Sequence, residues 1–273
     1  MKRLVATMLA CAIGAAISAG PALADQMADI KKKGTLVVGV KTDYPPWGAR
    51  DASGAIVGME PEMAADVAKR LGVKLELVPV VSSNRMQFLQ QGKIDLMIAT
   101  MSDTPDRRKV VGIVDPVYYA SGVAILAHKK ANVKSAADLK GKPVCALQGA
   151  FYNNDLQSKY TGQDLVAFKG VPEGEQALLD GRCVGFVYDD VVLVWKKAQD
   201  PKWAEFEVVQ LNEWQVVPWG LAVKIEELDG PWGKFMSDTV KDWLKSGTLV
   251  ALEKKWVGNN TKWLTDASAK AKQ

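Results

Sequence analysis

Apolar positions in this chain recur with a period of two in some stretches and about 3.6 in others, and the two kinds alternate. Thr35 to Val40 is a β-branched run that predicts a strand. Met63, Ala64, Val67, Ala68 and Leu71 then fall on one helical face, with Gly72 as the stop. Leu75 to Val81 predicts a second strand, Arg85 to Gln91 a short helix closed by Gly92, and Ile94 to Ala99 a third strand. Alternation of this kind predicts an α/β lobe with a mostly parallel sheet. The theme repeats further on. Pro143 to Gln148 reads as a strand, Gly149 as a turn, and a helix runs toward Lys159. Strands at Leu165–Phe168 and Val184–Tyr188 follow, with helices from Glu173 to Leu179, ended by Gly181, and from Asp190 to about Ala198.

Two extended apolar runs, Tyr119–Leu126 and Trp219–Val223, leave the first lobe and return to it, which predicts a two-stranded hinge. Helices from Pro231 to Lys245 and from Leu249 to Trp256 would complete the first lobe. The expected division is 25–120 with 221–273 for lobe 1, and 121–220 for lobe 2. The Ala/Lys-rich tail after Asp266 reads as frayed. In open α/β sheets ligands bind outside the carboxyl ends of the strands. That rule selects Lys41–Trp47, Ser82–Arg85, Thr100–Arg107, Gln148–Tyr152 and Tyr188–Asp190.

Composition narrows the function. Lys2 and Arg3, an apolar stretch from Leu4 to about Ile17 and the small residues Ala22-Leu23-Ala24 read as a signal peptide, residues 1–24, cleaved before Asp25. This implies export. The formal charge of +4 falls to +2 once Lys2 and Arg3 are removed, and no polybasic block remains, so nucleic acid is not an expected partner. Cys11 leaves with the signal. Cys145 and Cys183 each fall within a predicted strand of the second lobe, and an even count in an exported chain favours a bridge over two buried thiols. With His128 alone and distant there is no metal-ligand set, and neither a metal nor an organic cofactor is expected.

The run from Gly92 to Lys109 carries the clearest chemistry. A buried strand ends in the hydroxyls of Thr100 and Ser102, Thr104 can cap a helix with Pro105 at its first position, and Arg107 follows within the first turn. Hydroxyls, free backbone N–H groups and a guanidinium at a strand end make a receptor for a carboxylate. Gly181-Arg-Cys-Val-Gly-Phe-Val-Tyr-Asp-Asp190 places a complementary acid, Asp189, at the end of another buried strand.

These segments resemble the periplasmic amino-acid-binding proteins of solute-binding family 3, which feed ABC importers. The resemblance runs from Gly34 to about Trp256 and implies a two-lobed, type II periplasmic-binding-protein fold with mostly parallel sheets. It implies that Thr100, Ser102 and Arg107 grip the α-carboxylate of an amino acid, with Met101 in the same ligand-binding segment, and that Asp189 takes its ammonium. Val38-Gly-Val-Lys41 and Ser83-Asn-Arg85 match the glutamate/aspartate-binding members, so Lys41 and Arg85 would receive a side-chain carboxylate. Tyr44 and Trp47 resemble the aromatic wall over the ligand. The plainer reading of each is structural: Lys41 and Arg85 as solvated surface cations, Tyr44 and Trp47 as loop packing, Asp189 or Asp190 as a helix cap.

One stretch departs from the family. Acidic-amino-acid binders follow the glycine at Gly149 with hydroxyl residues, and this chain has Ala150, Phe151 and Tyr152, leaving Tyr152 or Asn153 to replace them. The resemblance implies a monomeric, non-enzymatic receptor whose partners are a small amino acid and a membrane permease. The alternatives are another polar amino acid as ligand, or an enzyme on the same fold of the cyclohexadienyl/arogenate dehydratase kind. Against the enzyme, the strand-end loops offer no His, no Cys nucleophile and no carboxylate pair, only Glu60 and Asp103 as isolated acids.

Overall fold

The structure, a computed structural model, describes residues 25–273, so the signal segment and Cys11 lie outside the described residues. The chain opens with α1 (Gln26–Lys33), capped by the Asp25 side chain on Ala28 N, and then enters β1 (Thr35–Val40). A small antiparallel sheet of β2 (Asp43–Tyr44), β3 (Gly48–Arg50) and β4 (Ile56–Val57) precedes α2 (Met59–Leu71). Gly72 ends α2 in the left-handed region, as a C-terminal stop requires. Then come β5 (Lys74–Pro79), α3 (Arg85–Gln90), β6 (Leu96–Ser102) and α4 (Pro105–Arg108). Short β7 (Gly112–Ile113) and β8 (Tyr119–Ser121) lead to β9 (Val123–His128).

The second half contains β10 (Val144–Leu147), α5 (Asn153–Leu156), β11 (Leu165–Phe168), α6 (Val171–Leu179), β12 (Gly185–Asp189), α7 (Asp190–Gln199) and β13 (Phe206–Gln210). The chain then returns through β14 (Val217–Val223) to α8 (Pro231–Ser246), α9 (Thr248–Val257) and α10 (Lys262–Ala271).

Two sheets organise these elements. The first has the order β5-β1-β6-β14-β7, with β8 also paired to β14, and the second β11-β10-β12-β9-β13. Both are mixed rather than mostly parallel. β5, β1 and β6 are mutually parallel, as are β11, β10 and β12, whereas β14 runs against the first set and β9 against the second; β13, antiparallel to β9, runs with β12. The antiparallel members come from the chain that crosses between sheets, which arrives from the opposite end. The two crossovers pair with each other, Tyr119 to Ser121 against Trp219 to Val217. The expected boundary at 220/221 falls inside β14, whose pairing from Val217 onward is with the first sheet.

All seven residues of β6 are buried, which fits its place between β1 and β14. Its pairing with β14 is irregular between Gly220 and Ala222, which oppose Met101 and Met97. Thr100 sits in this bulge at φ +48°, unusual for a β-branched residue. The C-terminal tail is not frayed. α10 runs to Ala271, with Leu264 buried and the Ser268 hydroxyl donating to Leu244 O at 2.7 Å.

Cys145 and Cys183 form a disulfide with Cα atoms 5.6 Å apart, within the usual range. Cys183 lies just before β12 rather than within a strand, so the bridge ties a strand to the turn that follows α6.

Candidate functional site

The carboxyl ends of β1, β6, β10 and β12 meet at one cavity. Its walls are Lys41, Ser82, Arg85, Thr100, Ser102 and Arg107 from the first sheet's side, and Ala150, Phe151, Tyr152, Tyr188 and Asp189 from the second's. The cavity is tight, about 10 Å³. Every charged wall residue is buried: Lys41 is 2% exposed, Arg85 3%, Arg107 7% and Asp189 9%. Lys41 and Arg85 are therefore not solvated surface cations.

Arg107 is positioned by its own helix start. Thr104 is the N-cap of α4, Pro105 follows at its first position, and the Thr104 hydroxyl accepts from Arg107 N at 3.4 Å. The guanidinium then donates to Ser102 O at 3.0 Å and across the cleft to Gly149 O at 2.9 Å. Burial, with the Arg85 charge adding to it, pushes Arg107 down to about 9.

Asp189 is the last residue of β12, and the Tyr44 hydroxyl donates to it from the other side of the cleft. Burial raises its carboxyl, while that hydroxyl and the nearby Lys41 act the other way. Asp190 turns elsewhere. Its Oδ1 accepts from Ser121 Oγ and Gly122 N in the crossover and from Val191 N, at 2.6–2.9 Å.

Lys41 donates to the Tyr188 hydroxyl at 3.0 Å and lies 4.3 Å from the centre of the Tyr44 ring. Burial pushes it down to about 8. Arg85 turns inward: its Nη1 donates to Ala99 O, to Thr100 O at 2.9 Å and to Thr100 Oγ1 at 3.3 Å, and its buried Nε has no partner.

Behind Thr100 lies Glu60, fully buried in the first turn of α2. Its Oε1 accepts from Thr100 N at 2.8 Å and from the Tyr118 hydroxyl at 2.5 Å. Burial lifts this carboxyl to about 7 against those two hydrogen bonds.

Not every expected residue reaches the cavity. Trp47 is fully buried behind it, among Tyr44, Tyr119 and Trp219 with ring centres 5.5–5.8 Å away. Met101 packs into an apolar cluster with Val80 and Ile113. Tyr44 meets the site through its hydroxyl, and Gly149 through its carbonyl. Tyr152 does line the cavity, but its hydroxyl donates to Val187 O at 3.2 Å, and Asn153 Nδ2 donates to Leu147 O. Neither replaces the missing hydroxyls in this arrangement.

The strand-end rule selects the loops that hold Ser82 and Tyr188 but gives neither residue a role, and the sequence shows Glu60 only as an isolated acid. The signal for Glu60 was a charge on the apolar face of α2, between Met59 and Met63. Asp103, the other isolated acid, is held by both Arg108 Nε and Nη2 at 2.6 Å.

Residues 36–259 match the model of the bacterial extracellular solute-binding proteins, family 3. The chain belongs to that family. Among family 3 relatives, the L-cystine-binding protein TcyJ of Escherichia coli (strain K12) is 30% identical over 84% of this chain and 85% of its own length. The glutamate/aspartate import solute-binding protein of Salmonella typhimurium is 24% identical over 95% of this chain and 89% of its own. In structure, a variant of ArgBP from T. maritima aligns with a TM-score of 0.78 at 29% identity, covering 86% of this chain and all of that one. The ancestral amino acid-binding protein AncCDT-1, a precursor of cyclohexadienyl dehydratase, aligns at 0.74 and 29% identity, covering 85% and 99%. The fold is thus the two-lobed type II architecture, and the family is one of periplasmic amino-acid receptors. Relatives named for different amino acids lie at comparable distances.

Proposed function

We propose that this protein captures an acidic amino acid, glutamate or aspartate, between its lobes in the periplasm and presents it, as a monomer, to the permease of an ABC importer. The lobes divide near residue 120 and within the start of β14. The observation that carries this reading is one cavity walled by Arg107 from one side and Asp189 from the other, with Lys41 and Arg85 in the same walls. Arg107 and Asp189 suit the two ends of a zwitterion. The remaining two cations then favour a ligand that brings a second carboxylate. A cavity this tight admits an amino acid only when the lobes part, and the ligand then replaces contacts the lobes make with each other.

Turnover on the same fold is the second reading, supported by the likeness to AncCDT-1 and by Glu60, whose carboxyl sits near neutrality. Glu60 is not a cavity wall, however, and its Oε1 is engaged by Thr100 and Tyr118. Calorimetry with each common amino acid tests the receptor reading, and incubation with prephenate tests the enzyme. Glutamate or aspartate should bind most tightly, and prephenate should persist. Preference for an amide, aliphatic or basic amino acid would overturn the acidic assignment.

A further inference from the structure

A second cavity, of about 220 Å³, lies at the hinge and shares no wall with the ligand cleft. One wall is α7 of the second lobe, through Val191, Val194, Trp195 and Ala198. The facing wall is the turn between α9 and α10, which packs with the first lobe, through Val257, Asn259 and Thr261. Tyr119 of the crossover closes its floor.

The order of residues from cleft to hinge fixes which side this cavity is on. Asp189 lines the ligand cleft, while its neighbour Asp190 lines the second cavity and binds the crossover at Ser121 and Gly122. Tyr44, whose hydroxyl meets Asp189, packs on Trp219. Trp219 packs on Tyr119 at 5.2 Å, and Tyr119 is the floor of the second cavity. The paired crossovers β8 and β14 therefore run between the two cavities.

The far wall is braced. Glu253, fully buried on α9, accepts from the Tyr119 hydroxyl at 2.6 Å, from Asn260 Nδ2 at 3.1 Å and from Thr261 N at 3.0 Å. This network locks the α9–α10 turn to the first lobe's side of the hinge, so that wall cannot follow α7 when the lobes rotate.

We propose that this hinge cavity is the space into which α7 swings when the cleft opens, so that its free volume sets the balance between open and closed forms and thereby the ligand affinity. The inference rests on the two-lobed receptor reading. A rotation about strands lying between two cavities widens one as it narrows the other. In this closed arrangement the cleft is nearly filled and the hinge cavity is roomy. Side chains that fill the hinge cavity obstruct only the open form. The apparent affinity depends on the fraction of molecules already in the binding-competent form, so removing open molecules tightens binding without touching the ligand site.

The test is to fill the cavity from each wall separately in the full chain, with Val194→Trp on α7 and Asn259→Trp on the opposite turn. Val194 is half exposed, and Asn259 lies in an exposed turn, so each tolerates a larger side chain. X-ray scattering without ligand should show a smaller radius of gyration for both variants than for wild type. Calorimetry with the best wild-type amino acid should show affinity raised by about fivefold or more, with slower release. The same direction from both walls separates obstruction from a local effect of either residue. An unchanged radius and affinity in both variants, or weaker binding in both, would overturn the proposal. If no amino acid binds wild type, the receptor reading fails, while the radius still decides whether the cavity controls closure.

Discussion

The guanidinium of Arg107 reaches across the cleft to the carbonyl of Gly149, 2.9 Å away, while keeping hold of Ser102 on its own side. Lys41 with Tyr188, Tyr44 with Asp189, and Asp43 with Val171 N at the start of α6 also link the two sides. The cleft is thus closed by contacts among its own wall residues. Under the proposed function, a ligand has to offer more to these groups in the closed form than they give each other, which is what a ligand-driven switch requires.

Arg107→Ala and Asp189→Ala should each abolish useful binding of any α-amino acid. Each leaves one buried charge of the ligand without its partner, a loss of roughly 2–5 kcal/mol, or about 30- to 5,000-fold in affinity. Calorimetry with the best wild-type ligand checks this, and wild-type affinity in either variant would refute the site.

Arg85→Met should weaken glutamate and aspartate by about 2–4 kcal/mol more than glutamine and asparagine, because a carboxylate then loses a buried cation. Some loss will be common to all four ligands, since Arg85 also braces the carbonyls of Ala99 and Thr100. Equal losses for acids and amides would mean that Arg85 only supports the strand.

Gly149→Ala should impair closure, beyond the roughly 1–2 kcal/mol that a left-handed alanine costs the fold. Gly149 sits at φ +79°, and a Cβ there would lie 2.8 Å from Ser82 O and 2.9 Å from Ser83 Cα, both across the cleft. Affinity should fall at least about tenfold, about 1.4 kcal/mol. The free variant should have a larger radius of gyration than wild type, and unaltered scattering would contradict the steric account.

Stability should decline as pH rises from about 4.5 to about 7 because of Glu60. Its carboxyl releases its proton near 4.5 in the unfolded chain and near 7 in the folded one, so the folded form holds the extra proton across that window. The contribution is at most about 3 kcal/mol. Urea unfolding of wild type and Glu60→Gln at pH 5 and pH 8 isolates it, since Gln keeps an acceptor for Thr100 and Tyr118. The variant should lose this part of the slope.

Removing the disulfide through Cys145→Ser with Cys183→Ser should cost about 2–4 kcal/mol by freeing a 38-residue loop in the unfolded chain. The loss should appear in thermal unfolding with little change in affinity, as neither cysteine touches the cleft.

Local chemistry made parts of this molecule legible before its structure. Thr104-Pro105 and Arg107 are a cap, a helix start and a charge within one turn, so the sequence states their relation directly. The main helices are visible because each buries one periodic face, and the central strands because they are continuous apolar runs bounded by turns. What escaped depends on distant partners. Glu60 meets residues 40 and 58 positions away, and Ser268 docks on Leu244, so an Ala/Lys-rich tail that reads as frayed is an anchored helix. Trp47 shows the same limit from the other side: an aromatic ring in a strand-end loop serves equally as cleft wall or as core. Tyr188 falls in a selected strand-end loop, but strand alternation sets it and Asp189 on opposite faces, and only the end of β12 at this point lets both reach the cavity.

The aromatic column from Tyr44 through Trp47 and Trp219 to Tyr119 has rings 5–6 Å apart and runs from an interlobe hydrogen bond to the hinge. Parting the lobes breaks that hydrogen bond and alters the surroundings of two indoles at once. The chain therefore carries its own optical gauge of closure. Tryptophan emission, followed in a rapid-mixing instrument without any dye, should report when the lobes move and let that step be timed apart from ligand encounter.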